Sequence, residues 1–198
     1  MTAALKLPEF LTVDAFLAWD TPMGALWQLV DGVPQAMAPA SPTHGAIHAE
    51  MAALIREHLI ATGSPCYVVV APGVIPRVQS ETNMRVPDLA VSCTPALPGD
   101  NALRDPVLLI EILSPSNRAE TWTNVWSYTT IPSVREILIL HSTRIGADLL
   151  RRGVDGSWPE RPQAIDQGDL TLDSIGYTGP ITAFYRTTWL HEATSPPS

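Results

Sequence analysis

The 198-residue sequence predicts an α/β (α+β) fold, a central mixed β-sheet flanked by helices. Three observations carry that expectation. Elements follow one another in mixed order: hairpin, helix, a run of strands, helix, strand. Two apolar runs of strand length, Val86–Val91 and Val107–Ser114, each hold one carboxylate, Asp88 and Glu111. Hydrophobic residues make up 45% of the chain and mean hydropathy is +0.10, which supplies a core and argues against disorder. The length fits one domain over residues 1–190 with a frayed tail at 191–198.

Residues 1–23 suggest a short helix, capped by Thr12 or Asp14, with Phe16, Leu17 and Trp19 as its apolar side. Leu26 to Met37 reads as a hairpin turning at Asp31-Gly32, a strong local signal between two apolar runs. Pro34 marks the second strand as an edge. From His44 to Ala61, with Thr43 as cap, Ile47, Met51, Leu54, Ile55 and Leu59 recur at helical spacing until Gly63-Ser64-Pro65. Cys66 to Ala71 reads as a buried strand that Gly73 to Val78 continues after a bend. The two carboxylate-bearing strands follow, joined by a Pro-, Gly- and Asp-containing loop. Asn117 with Glu120 three residues later matches a capping box, which opens a helix carrying Trp122, Val125, Trp126 and Tyr128. Glu136 to Leu140 and Ala147 to Arg152 read as further strands. An irregular segment with Leu170, Ile175, Ile181 and Phe184 ends the chain.

The formal net charge of −8 weighs against broad nonspecific binding to nucleic acid, although a local basic groove stays open. Lys6 is the only lysine; the other eleven of the twelve basic residues are arginines. Arg144, Arg151, Arg152 and Arg161 read as solvating a hairpin rather than as a phosphate patch. Cys66 and Cys93 lack metal-ligand spacing and read most simply as buried thiols in a reducing compartment, with a disulfide between them as the less favoured alternative. No stretch reaches membrane-spanning length, and the expected location is cytoplasmic.

A lone carboxylate in a buried strand is costly unless a cation or a set of donors receives it. Side chains on a strand alternate, so Glu111 shares a face with Leu109 and Leu113, and Asp88 shares one with the small Ala90 and Ser92. Two such strands suggest one divalent cation, for which carboxylates, carbonyls, water and substrate phosphate serve as ligands. A metal so held can acidify water and neutralise a scissile phosphate. The structural alternative is that Arg85 or Arg118 pairs with the acids.

Val86-Pro87-Asp88, then Ile110-Glu111-Ile112-Leu113-Ser114-Pro115-Ser116-Asn117, then a helix ending in Tyr128, resembles the Uma-two family of restriction-endonuclease-like proteins in the PD-(D/E)XK nuclease superfamily. The resemblance begins at Leu29-Val30-Asp31-Gly32, passes through Ser41-Pro42-Thr43-His44 and runs to about Leu140. It implies a restriction-endonuclease-like core, Mg2+ (or Mn2+) as cofactor, DNA as substrate and a homodimer. Asp88 and Glu111 take the metal-ligand places.

The chain departs from the family pattern where a lysine belongs. Leu113 stands two residues after the second acid, and Asn124 stands four residues before Tyr128, the place of the family's helical lysine. Glu120 matches the acid one turn earlier, although its capping-box role also accounts for it. Gln28 stands where a glutamate is expected, either near the metal or lining a sheet face. His44 is a substrate contact or, more simply, a helix-capping residue. The resulting expectation is a Mg2+-dependent DNA endonuclease, weakened by the missing lysine, with Asn124 or an arginine partly in its place. The alternative is a dimeric module that binds nucleic acid or protein and keeps only the fold.

Overall fold

The computed structural model describes residues 8–21, 25–115 and 117–192. Expectations for residues 1–7, 22–24, Ser116 and 193–198 lie outside that set. Within it, the centre is a six-stranded mixed sheet: β3 (Tyr67–Val70), β4 (Leu89–Ser92), β5 (Pro106–Leu113), β6 (Glu136–His141), β7 (Ala147–Arg151) and β8 (Gln163–Ile165), in that spatial order. Only β5 and β6 run parallel; the other neighbours are antiparallel. The parallel pair needs a crossover, and α3 (Arg118–Tyr128) supplies it.

Side-chain alternation divides the apolar residues between two faces. Leu108, Ile110, Ile112, Leu138 and Leu140 face α2 (Pro42–Ala61) and the C-terminal elements. Leu109, Leu113, Ile137 and Ile139 face α3 through Val125 and Tyr128. Helix α2 buries Ile47, Met51, Ile55 and Leu59, the four-residue repeat that the sequence displays. Burying a side chain of this size stabilises the fold by about 1.5–3 kcal/mol.

The first helix is the five-residue α1 (Val13–Leu17), capped by Thr12; Phe16 is buried while Leu17 is exposed. The hairpin forms as expected, with β1 (Trp27–Val30) and β2 (Val33–Ala36) as a separate two-stranded sheet. Asp31 and Gly32 both have positive φ, 49° and 83°, the backbone that a two-residue hairpin turn requires. The hairpin is fastened to the segment before β4: Leu29 bridges Met84, and Asp31 and Asn83 exchange hydrogen bonds of 3.0 Å.

Several expectations need correction. Strand β3 is an edge strand with exposed Val70, not a buried one, and residues 73–78 contribute only the bridge of Val74 to Arg85. Ser41, not Thr43, caps α2, because Pro42 occupies the first helical turn and leaves the Ser41 hydroxyl to accept the His44 N–H. The C-terminal segment is ordered into β9 (Asp169–Leu172), β10 (Tyr177–Pro180), a 3-10 helix (Ile181–Tyr185) and α4 (Trp189–Glu192). Its Leu170, Leu172, Ile181 and Phe184 complete the α2 side of the core. Residues 191–192 of the expected frayed tail belong to α4. The hairpin arginines do more than solvate: Arg151 pairs with the buried Glu136 at 2.7 Å, and Arg144 pairs with Asp166.

The cysteines are also corrected. Cys66 and Cys93 form a disulfide, because the β3–β4 register that pairs Tyr67 with Ser92 makes them the next opposed pair. The argument from free thiols to a reducing compartment falls with that bond. Among the described residues no helix is long and apolar enough to cross a membrane.

Two outcomes are expected. Alkylation of the unfolded but unreduced protein should label neither cysteine, as read by mass. Tyr185→Phe should cost about 1–3 kcal/mol in denaturant unfolding, because the buried hydroxyl lies 2.8 Å from the Gly146 carbonyl and 3.0 Å from that of His141.

Candidate active site

The β4–β5 ladder ends at the pair Leu89–Ile110, and Asp88 lies one residue before β4 rather than within it. Its Oδ2 accepts the Ile112 N–H at 2.7 Å, taking up a donor beyond the last strand pair. Its Oδ1 lies 2.9 Å from His44 Nε2, and its backbone carbonyl lies 2.9 Å from His48 Nε2. The two histidines stand one turn apart on α2, so one helix face clamps the residue from the side opposite α3.

Glu111 is buried on the α3 side of β5, with 6% exposure. Tyr128, fully buried at the end of α3, donates its hydroxyl to Glu111 Oε1 at 2.7 Å. Burial pushes the Glu111 carboxyl well above the usual carboxylate range, and the neighbouring Asp88 charge pushes it further; the Tyr128 hydroxyl and the Asp88 N–H oppose the shift. The Tyr128 phenol is likewise held well above its ordinary value, by burial and by Glu111.

A second set of polar groups lies along α3. Gln28, fully buried on β1, donates to Glu120 Oε1 at 2.7 Å and accepts from Asn124 Nδ2 at 3.5 Å. Glu120 is therefore not in a capping box. Asn117 caps nothing with its side chain, whose Oδ1 accepts from the Ser114 N–H and hydroxyl, and Glu120 reaches across to the hairpin instead. Asn124 Oδ1 is buried without a partner among the described residues. An unsatisfied buried acceptor costs about 1–3 kcal/mol.

Arg85 is the residue that sequence reasoning placed wrongly. Among the described residues it forms an ion pair with neither acid; it is 4% exposed, and its Nε lacks a partner. The Leu29–Met84 bridge puts Gln28 and Arg85 side by side on the face turned from the Leu29–Met84 cluster, toward α3. Burial lowers the Arg85 pKa, while Asp31, Tyr128 and Glu120 act to raise it. Arg118 is exposed on the first turn of α3.

The structure thus brings Asp88, Glu111 and His44 together, and places Gln28, Glu120 and Asn124 in one adjoining hydrogen-bonded group. His44 enters through its ring, not as a helix cap. Tyr128 and His48 were missed as site residues, and Arg85 was weighed only as an ion-pair partner of the acids. The four-residue spacings His44/His48 and Asn124/Tyr128 are the signals in the sequence that each pair shares a helix face.

Among the described residues no three His, Cys, Asp or Glu side chains are grouped as a metal cage. The donors at hand are two carboxylates, the hard-oxygen ligands that magnesium takes when water and substrate phosphate complete its shell. Asp88 adds to the upward shift that burial imposes on Glu111, and a cation beside two such acids relieves their repulsion. The residues fit a divalent ion.

One acid on β5 and one just before the adjoining β4, at the end of a mixed sheet with a helix laid across it, define a restriction-endonuclease-like class of protein. The family described as "Putative restriction endonuclease", Uma2, matches residues 13–176, and the chain belongs to that family. Among solved structures it resembles one described as a "putative nuclease belonging to DUF820" from Anabaena variabilis, with TM-score 0.71 and 15% identity over 89% of this chain and 98% of that one. At that identity the likeness is one of fold. No protein of curated function matches the sequence.

The Glu111 environment sets a pH dependence for the metal-free protein. A carboxyl whose folded pKa is raised favours the protonated form on folding. Its contribution to stability is complete below the ordinary carboxyl range and is lost as pH rises through the folded pKa. Glu111→Gln should therefore be more stable than wild type at neutral pH, by about 1.4 kcal/mol for each pH unit separating the two pKa values. Denaturation in EDTA should show the gap closing near pH 4. Tyr128→Phe should move the Glu111 titration higher still, read by 13C NMR.

Proposed function

We propose that the protein is a divalent-metal-dependent endonuclease that hydrolyses DNA phosphodiester bonds, with Asp88 and Glu111 holding Mg2+ or Mn2+. The observation that carries this reading is the placement of two carboxylates at one sheet end, where each is oriented by a dedicated partner. The family supplies the class of reaction, and its nuclease character points to nucleic acid as substrate.

In this reading the ion supplies positive charge against the scissile phosphate when bound. The chain's own groups set the geometry. The Ile112 N–H and His44 fix the two Asp88 oxygens, and Tyr128 fixes one Glu111 oxygen and leaves the other for a ligand. Gln28 holds Glu120 and Asn124 in register along the same helix. Such orientation matters because a displacement of about 1 Å at a reacting centre can cost on the order of a hundredfold in rate. Asn124 stands where the family carries a lysine, so the reading includes a slow enzyme. A homodimer belongs to the same proposal, as it would present two such sites to a duplex.

Calorimetry with Mn2+ and a nicking assay on supercoiled plasmid test the proposal together. Wild type should bind the metal and nick. Asp88→Ala and Glu111→Ala should each lose at least tenfold in metal affinity and a hundredfold in nicking. An absence of metal binding by wild type in the presence of DNA would sink the reading. Asn124→Lys should increase the nicking rate at least tenfold.

A further inference from the structure

Two buried polar groups beside Gln28 lack partners among the described residues, and they are complementary. Arg85 Nε–H is a donor and Asn124 Oδ1 is an acceptor, in residues 4% and 5% exposed. They come from different parts of the fold. Arg85 is set by its backbone pairing with Val74 and by the hairpin bridge at Met84; Asn124 is set by α3 and the Gln28 amide. They do not bond each other, and Gln28 is already engaged with Glu120 and Asn124. Folded proteins rarely leave such groups unmatched, so water or a bound polar group is the natural partner of a pair that no described side chain satisfies.

The donor is an arginine, which stays protonated at neutral pH even when burial lowers its pKa. A guanidinium offers a planar fork of donors to a phosphate. The titratable groups that face it are Asp31 on the hairpin tip, Glu120 on α3 and the Tyr128 phenol, which burial and Glu111 keep uncharged. None of the described acids forms an ion pair with it, so its charge is not consumed within the protein. The arginines at the end of β7 are different: Arg151 is paired with Glu136 and Asp173, and Arg152 is bonded to the Pro132 and Gly156 carbonyls.

We propose that Arg85 is the phosphate-binding cation of the site. Its guanidinium donates to a non-bridging oxygen of a bound phosphodiester, and Asn124 Oδ1 accepts a hydrogen bond from water beside it. The two residues together occupy the region that one helical lysine would serve. This inference rests on the nuclease reading for its substrate class, yet it concerns binding and so can be tested without cleavage.

The probe is a short fluorescent DNA duplex, titrated in EDTA at low salt and followed by anisotropy. Arg85→Met keeps the apolar stem and removes the charge; it should bind at least tenfold more weakly than wild type, while Arg85→Lys should stay within about threefold. The double variant Arg85→Met/Asn124→Lys should recover most of the loss, because the cation is returned to the same place. A second measurement does not depend on how the variants fold. The Arg85 Nε–H resonance of 15N-labelled wild type, assigned by its absence in Arg85→Lys, should shift on adding the duplex. Equal binding by wild type and Arg85→Met, no binding by wild type, or an unmoved resonance would each overturn the inference. Plasmid nicking in Mg2+ separates the two proposals. Arg85-dependent binding without nicking removes the enzyme and keeps the phosphate contact; nicking that survives Arg85→Met removes the contact and keeps the enzyme.

Discussion

The end of the β4–β5 ladder is the constraint from which the site follows. Strand pairing stops at Leu89–Ile110, but β5 continues along its parallel partner to Leu113. The Ile112 N–H is therefore directed past the end of β4, and a buried donor of this kind must be satisfied. The Asp88 carboxylate satisfies it, which brings that carboxylate close to Glu111. The result is two neighbouring acids, with burial first and the Asp88 charge second raising the Glu111 carboxyl above the usual carboxylate range. Such an arrangement works against stability and persists only where the surrounding fold over-determines it. Here α2 grips Asp88 through two histidines, and α3 grips Glu111 through Tyr128.

The hairpin has a similar positional role. By itself a two-stranded ribbon is marginal in water. It is held by the Leu29–Met84 bridge, by the Asp31–Asn83 exchange and by a core of Val13, Phe16, Leu29 and Met84. That anchoring carries Gln28 into α3, where one amide engages two helical side chains. A buried polar network satisfied only in part is less stable than an apolar core. The unmatched Asn124 oxygen and Arg85 nitrogen therefore set this network apart from the closed ion pairs at the far sheet edge.

Charge tells the same story on a larger scale. With a net charge of −8, the chain has little diffuse attraction for a polyanion. Arg144, Arg151 and Arg152 are engaged by acids or carbonyls of the protein itself. Those three arginines are thus spoken for within the fold, unlike Arg85, which has no ion-pair partner among the described residues.

The sequence by itself determined the mixed sheet, the hairpin at Asp31-Gly32, the long helix with its four-residue apolar repeat and the pairing of Asp88 with Glu111. These are carried by short-range periodicity and turn chemistry, which are local properties. It named Glu120 and His44 as site candidates but favoured capping roles for both, because a capping motif is local evidence, whereas the side chains are claimed by distant partners, Gln28 and Asp88. It took Cys66 and Cys93 as thiols, because the β3–β4 register that opposes them is set across a connection of many residues. Tyr128, His48 and Arg85 became visible only in three dimensions. Spacing along the chain puts His48 on a face with His44 and Tyr128 on a face with Asn124, but the partner opposite each is set across a helix–sheet contact or a bridge. The two acids were legible because a charge within an apolar run is conspicuous in sequence. The groups that hold them were decided by tertiary packing, which alone sets which buried donor meets which buried acceptor.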